Sequence, residues 1–167
     1  LINLKKRKND FFKKENIYYL IIIIIIFFFD RYTKLNIVNN FNELTYYLND
    51  YINIDLVWNL GVGFGLLSSS THLMYNGITS LIGIIILILL YFVLVSYRIE
   101  KIIFSVIIGG ALGNFYDRIF YGAVPDFIDL HYKNFHWFTF NVADIFITLG
   151  LIALIIYSSP KKKNEKN

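Results

Sequence analysis

The twenty residues ITSLIGIIILILLYFVLVSY, Ile78 to Tyr97, carry no charge. A helix of ~20 apolar residues is long enough to cross the ~30 Å hydrocarbon layer of a bilayer, so this run predicts a membrane span. Downstream, Arg98-Ile99-Glu100-Lys101 reads as a short turn, and Ile102 to Tyr116 as a second span. Upstream, the apolar run Ile17 to Phe29 is short, but helical character continues through Leu35, Ile37 and Val38 to give a span of Ile17 to Val38. The last apolar run, Trp137 to Tyr157, contains one charge, Asp144, and has Trp137 and Tyr157 near its ends, as interfacial aromatics do. The expectation is an all-α integral membrane protein with four transmembrane helices in one unit, residues 17–158. A basic arm, 1–16, precedes it and a basic tail, 159–167, follows.

Composition agrees with a lipid environment. The chain is 56% hydrophobic and 17% charged, with mean hydropathy +0.53, whereas soluble domains average about a quarter charged residues. It has no cysteine, which removes disulfides, thiolate nucleophiles and thiolate metal sites. The net charge of +4 comes from basic ends and not from a basic patch interleaved with aromatics, so a nucleic-acid partner is disfavoured. The first span behind Lys5-Lys6-Arg7-Lys8 and Lys13-Lys14 also has the form of a cleaved signal peptide. Phe27-Phe28-Phe29 running straight into Asp30-Arg31 offers no small-residue cleavage site, so it reads as a retained helix.

Basic residues set the orientation. The arm holds six Lys and Arg, the Arg98–Lys101 turn two and the tail four, against Arg31, Lys34, Arg118 and Lys133 on the other side. Such an asymmetry places both termini in the cytoplasm, with segments 39–71 and 119–136 outside. Within the outer segment, Ile52, Ile54, Leu56 and Trp58 alternate with Asn53, Asp55, Val57 and Asn59, the period of a half-buried strand. A small sheet resting on the outer membrane face is expected.

A charge near hydrocarbon costs a few kcal/mol on insertion scales, so each carboxylate there is a functional candidate. Asp30, Asp117 and Asp144 lie in or at the ends of spans, and Asp126 and Asp129 lie in the outer connector. All five fall at the outer boundary. Plainer roles exist: Asp30 pairs with Lys34 one turn on, Asp117-Arg118 is a helix-end ion pair, and Asp129 is a solvated loop residue. Asp126 follows Pro125 and reads equally as a turn carboxylate or a site residue. Asp144, seven residues inside its span and with no Lys or Arg on its own helix, has the weakest plain reading. Two carboxyl groups brought together share a proton, because like charges at close range do not both ionise. One then acts as a general base on water while its protonated partner polarises a carbonyl. Asn114, Asp117 and Arg118 share a helix face, as do Asn141 and Asp144, so the amides are candidates for orienting the carboxylates. Gly109-Gly110-Ala111-Leu112-Gly113 permits close helix approach.

Other chemistries lack their residues. His72, His131 and His136 do not form a His-Glu-x-x-His helix, and no Gly-x-Ser-x-Gly elbow occurs. Ser68-Ser69-Ser70 reads as loop. A small transporter or proton relay through Asp30, Asp117 and Asp144 remains as an alternative, but it calls for carboxylates spread through the membrane depth. A Mg²⁺-dependent lipid-head-group enzyme using Asp117, Asp126, Asp129 and Asp144 calls for an octahedral oxygen site.

Five segments in order resemble signal peptidase II, the lipoprotein signal peptidases. They are Asp30-Arg31-Tyr32-Thr33-Lys34, Asn59-Leu60-Gly61-Val62-Gly63-Phe64-Gly65, Gly109 through Arg118, Val124-Pro125-Asp126-Phe127 and Phe140-Asn141-Val142-Ala143-Asp144. The resemblance covers roughly Ile17 to Tyr157. It implies that Asp126 and Asp144 are the catalytic dyad, supported by Asp30, Lys34, Asn59, Gly61, Asn114, Asp117, Arg118 and Asn141. It further implies four spans with a small outer β-cradle and a short outer helix, in a bacterial cytoplasmic (inner) membrane. The implied reaction is removal of the signal peptide from a prolipoprotein just before its diacylglyceryl-modified cysteine, without metal or cofactor. The implied partners are that substrate, membrane lipid and globomycin-like inhibitors, and the chain is expected to act as a monomer. Two departures stand out: Pro125 replaces the usual aliphatic residue before Asp126, and Val62-Gly63 stands where the family often has two alanines.

Overall fold

The computed structural model describes residues 15–41, 45–61 and 72–159. Most of the basic arm and tail, Val62-Gly63 and Ser68-Ser69-Ser70 lie outside the described residues. Four helices, α1 (Asn16–Asn40), α2 (His72–Val95), α3 (Arg98–Phe120) and α4 (Val142–Ser158), carry a sheet made of β1 (Tyr46–Asn49), β2 (Ile52–Asn59), β3 (Val124–Tyr132) and β4 (Phe135–Phe140). Neighbouring strands pair antiparallel in the order β1-β2-β3-β4. Among the described residues, no helix stands in the outer segment 45–61.

Helix α3 is the hub, packing against α1, α2 and α4. Its glycines explain how. A Cβ on Gly109 would sit 2.7 Å from Ile26 Cβ of α1, and one on Gly113 would run into the Asp30 carboxylate. A Cβ on Gly110 would lie 2.5 Å from the Ala143 backbone oxygen of α4. The small residues therefore serve two interfaces at once. Tyr19, Ile23, Ile86, Val93, Phe104 and Ile108 make the core between α1, α2 and α3, while Ile37, Phe127 and Val142 join the sheet to the adjoining ends of α1 and α4. Outward, Ile25, Phe28, Leu87, Ile152 and Ile156 are exposed. So much exposed apolar surface suits a helix bundle in lipid. Met74–Val95 and Arg98–Phe120 are long and apolar enough to cross a membrane, and Val142–Ser158 is a shorter apolar helix.

Two element boundaries and one strand pattern differ from expectation. Arg98 to Lys101 is not a turn: it is the first turn of α3, whose Glu100 carboxylate accepts the Tyr97 N–H at 3.0 Å. An acidic side chain closing back on the chain entering a helix satisfies an otherwise orphaned donor. Trp137 does not open the last helix. It lies in β4, and α4 begins only at Val142. The hairpin turns on Lys133-Asn134, with Lys133 at φ 55°. In β2 the alternation holds only in part: Ile54 and Leu56 pack against the core, but Asn53 and Asn59 are buried while Val57 and Trp58 are exposed. A β-bulge between Ile54 and Val57 breaks the period, and the inner face of this sheet covers polar groups.

The close approach at Gly110 gives a direct test. Gly110→Ala should destabilise the protein by about 1–3 kcal/mol through overpacking, read as a lower melting temperature in detergent. Gly77→Ala, where nothing lies within 4 Å of the added carbon, should not. Equal melting temperatures for the two variants would refute the α3–α4 packing described here.

Candidate active site

A buried ammonium organises the end of the bundle next to the sheet. Lys34 is 0% exposed; its Nζ lies in ion-pair range of Asp30 Oδ2 at 2.7 Å and Asp117 Oδ2 at 2.8 Å, and it donates to Asn114 Oδ1 at 2.7 Å. Asp30 Oδ1 accepts the Ala143 N–H at 2.8 Å, in the first turn of α4. Asp117 also pairs with Arg31, whose guanidinium lies 4.6 Å from the Tyr116 ring centre. Two cations and two carboxylates thus balance in one cluster linking α1, α3 and α4.

From that cluster the polarity passes outward through three amides, and each has its orientation forced. Lysine can only donate, so Asn114 must turn its oxygen to Lys34 and its nitrogen to Asp144 Oδ1, at 2.8 Å. Asn141 accepts the Asp144 N–H at 3.1 Å, so its amide nitrogen faces Asp126 Oδ1, at 2.5 Å. Asn59 accepts the Gly61 N–H at 2.8 Å, so its nitrogen faces Asp126 Oδ2, at 2.8 Å. The Asn141 N–H in turn reaches Asp144 Oδ2 at 3.2 Å. Every oxygen of Asp126 and Asp144 therefore holds one N–H donor, and Asn141 touches both carboxylates.

Local sequence explains these positions. Asn141 is the N-cap of α4 and Asp144 its third residue, a reciprocal capping box. Asp144 is consequently in the first turn of its helix and not some seven residues down it, as the expected start at Trp137 implied. An Asn three residues before an acidic group, ahead of an apolar run, is itself a helix-start signal, and it could have placed this boundary. Asp126 sits on β3, opposite Val57 of β2. Pro125 is tolerated there because β4 pairs with β3 only from Ile128 onward, which leaves that part of β3 a local edge.

Asp126 is 3% exposed. Burial, with the neighbouring Asp144 charge, raises its pKa from 3.8 to about 6, against the opposing hydrogen bonds of Asn59 and Asn141. A raised carboxyl pKa makes the folded state bind a proton that the unfolded chain releases. The stability it confers is present below 3.8 and is lost as pH rises through about 6.

Arg118 donates to the Gly61 carbonyl from Nη2, while its Nε and Nη1 are buried without a hydrogen-bond partner among the described residues. Its own carbonyl accepts from the Tyr75 hydroxyl at 3.0 Å. Arg31, Tyr75 and Tyr121 belong to this polar shell and were not among the residues singled out from sequence; Tyr121 accepts from Arg31 at 3.4 Å. Asp129 is the clearest correction. It is 4% exposed on β3, and it takes His136 Nδ1 at 2.7 Å and Asn53 Nδ2 at 3.4 Å. It is not a solvated loop residue, and this second polar cluster is separate from the three-amide chain. No group of three or more His, Cys, Asp and Glu among the described residues could hold a metal ion.

The family model for signal peptidase (SPase) II matches residues 22–159. The chain belongs to the signal peptidase II family. The lipoprotein signal peptidase of Pelagibacter ubique (strain HTCC1062) is 50% identical over 145 residues, covering 83% of this chain and 87% of the relative. That of Francisella tularensis subsp. mediasiatica (strain FSC147) is 38% identical over 142 residues, covering 81% and 88%. A solved bacterial membrane enzyme, determined by the in meso method at 1.9 Å, superposes with a TM-score of 0.71 at 30% identity, over 84% of this chain and 91% of that one. Family members are bacterial membrane enzymes, which fits the apolar helices α2 and α3.

The hydrogen bond from Asn59 opposes the rise in the Asp126 pKa, so removing it should strengthen that rise. Folded stability should fall as pH climbs past the ionisation of Asp126. In Asn59→Ala that fall should move upward by roughly one pH unit, the size expected for losing a hydrogen bond to a charged group. A stability–pH profile with an unmoved limb would separate Asn59 from the Asp126 ionisation.

Proposed function

We propose that this lipoprotein signal peptidase cleaves by aspartic chemistry, with Asp126 and Asp144 as its dyad. Removal of signal peptides from prolipoproteins follows from family membership. The observation that carries the chemical reading is the double contact of Asn141, which holds one oxygen of Asp126 and both the N–H and a carboxylate oxygen of Asp144. Two carboxylates so tethered exchange a proton as a unit, with ionisations that belong to the pair.

In this mechanism one carboxylate takes a proton from a water, and the resulting hydroxide adds to the carbonyl carbon before the lipidated cysteine. The other carboxyl gives its proton to the carbonyl oxygen. Collapse of the tetrahedral intermediate breaks the C–N bond, and a proton passes to the departing nitrogen. The products are a signal-peptide carboxyl group and a cysteine with a free amino group. The unpaired Nε and Nη1 of Arg118 are donors suited to a substrate backbone carbonyl. Asn59, Asn114 and Asn141 orient the carboxylates, and the Lys34 cluster holds Asn114. Metal plays no part in this scheme, and globomycin-like peptides would act by occupying the same groove.

Asp126→Asn and Asp144→Asn should each abolish cleavage of a lipid-modified prolipoprotein while leaving folded, membrane-inserted protein, read as a size shift on a gel. The double variant should be hardly worse than either single one, because residues acting as a unit are non-additive. EDTA should leave the wild-type rate unchanged. Near-normal turnover by Asp126→Asn would remove it from the dyad and make Asp117 the next candidate.

We further propose that all four helices cross a bacterial cytoplasmic membrane, in a monomer with both termini inside and the sheet outside. Twelve of the sixteen Lys and Arg fall on the inner side under this arrangement. A topology reporter after Lys163 should read as cytoplasmic and one near Asn49 as external. The reverse pattern would overturn the orientation.

A further inference from the structure

A cavity of 260 Å³ opens between the starts of α1 and α3. Along α3, Arg98 stands ~28 Å from Asp117, so this cavity lies at the opposite end of the bundle from the Lys34 cluster. Glu15, Tyr18, Tyr19 and Ile22 line it from the α1 side, and Arg98 and Ile102 from α3. Those spacings, i, i+3, i+4 and i+7 on one helix and i and i+4 on the other, put each set on one face. The lining is also ordered by depth. A carboxylate and a guanidinium come first, then two tyrosines, then two isoleucines, and Glu15 to Ile22 spans ~10 Å of helix. Charge, then aromatic, then aliphatic is the order of headgroup, interface and hydrocarbon in a bilayer. Ile102 and Ile25, one turn on from Ile22, are exposed, so the cavity floor continues onto the apolar outer surface.

The two charges flank this cavity without meeting. Among the described residues, neither Glu15 nor Arg98 has an ion-pair partner, across the cavity or elsewhere. Lys101, the next cation on α3, is engaged already: it donates to Asn16 Oδ1 at 3.2 Å and lies 5.5 Å from the Tyr19 ring centre. Opposite charges on two walls of one cavity call for a ligand that carries both signs. A guanidinium forks onto two phosphate oxygens, and a carboxylate beside tyrosine rings takes an ammonium.

We propose that this cavity is a headgroup site for an ethanolamine phospholipid, with the phosphate on Arg98 and the ammonium on Glu15. The acyl chains then run past Ile22 and Ile102 along the exposed apolar surface. Pockets of this kind between membrane helices are recognised sites for lipid headgroups. A glycerol headgroup would satisfy Arg98 but leave Glu15 facing a net negative charge. A choline headgroup has no N–H to donate to that carboxylate. With the termini inside, as proposed above, the lipid belongs to the cytoplasmic leaflet. One lipid held by both helices ties α1 to α3 at this end, as the Lys34 cluster does at the other.

The test uses full-length protein in nanodiscs holding equal amounts of phosphatidylethanolamine, phosphatidylglycerol and phosphatidylcholine with identical acyl chains. Native mass spectrometry of the released protein reads which lipid stays bound. Wild type should retain phosphatidylethanolamine over each of the others by about tenfold, the size of one charge-assisted hydrogen bond. Glu15→Gln should bring its preference over phosphatidylglycerol close to unity, with lipid still held through Arg98. Arg98→Gln should cut retention of both lipids about tenfold or more. Lys133→Gln, which removes an exposed cation from the β3–β4 hairpin, should behave as wild type. Equal retention of the three lipids by wild type would overturn the proposal, as would a preference that survives Glu15→Gln or is lost in Lys133→Gln. Because Glu15→Gln removes no cation, it decides the matter even where Arg98→Gln inserts poorly. Free phosphoethanolamine has no chains to lay on Ile22 and Ile102 and should not displace the lipid. Displacement would assign the cavity to a soluble ligand and overturn the lipid site.

Discussion

The buried Lys34 ammonium is the constraint on which the site depends. It is fully enclosed, with two carboxylates, Asp30 and Asp117, in ion-pair range and the Asn114 oxygen accepting its hydrogen bond. A buried ion pair is weak evidence of stability, since the cost of desolvation offsets the Coulombic gain. Breaking one by removing a single partner is different, at about 3–5 kcal/mol, because a charge is left buried and uncompensated. The cluster therefore acts as a register pin. Asp30 bonds to Ala143 at the start of α4, and Asp117 lies on α3, so α1 cannot slide without orphaning charges on two neighbours.

Orientation passes from that pin to the chemistry by donor and acceptor logic. Lysine cannot accept a hydrogen bond, so the Asn114 amide has one permissible orientation and presents its N–H to Asp144. The helix cap does the same for Asn141, and the Gly61 N–H does the same for Asn59. The proposed dyad calls for donors aimed at carboxylates that stay available for proton exchange. Neutral amides serve this better than cations would. A lysine directly on the pair would favour full ionisation, whereas an amide steers with less electrostatic bias. Lys34 stands one residue removed from Asp144, behind Asn114.

Much of this was legible in the sequence, for identifiable reasons. Uncharged runs such as Ile78 to Tyr97 have the length and composition of a membrane span, and the carboxylates stood out because their surroundings are apolar. The Asp30–Lys34 pair was readable from helical spacing alone. The failures have equally definite causes. Phe135 to Phe140 is apolar and aromatic, and it adjoins another apolar run, so periodicity could not divide strand from helix. In β2 the alternation served for Ile54 and Leu56, which pack on the core. A bulge after Ile54 then breaks the period, and Asn53 and Asn59 are buried because Asp129 and Asp126 of the neighbouring strand accept their hydrogen bonds. Asp129 looked solvated for want of a local partner. Its partners, Asn53 and His136, come from the flanking strands, which no reading of nearby residues brings together.

Pro125 joins these levels in a single residue. It has no N–H, so it suits the part of β3 that β4 leaves unpaired, where one ladder bond is absent already. Its ring fixes φ immediately before Asp126, and the residue is fully buried. The aliphatic residue usual in this family would pack the same space but leave the backbone one more rotation. Here the strand delivers Asp126 to Asn59 and Asn141 with less conformational freedom to lose. The proline thus works in the same direction as the rest of the site, since the role proposed for Asp126 is useful only while its carboxylate is held at its partners.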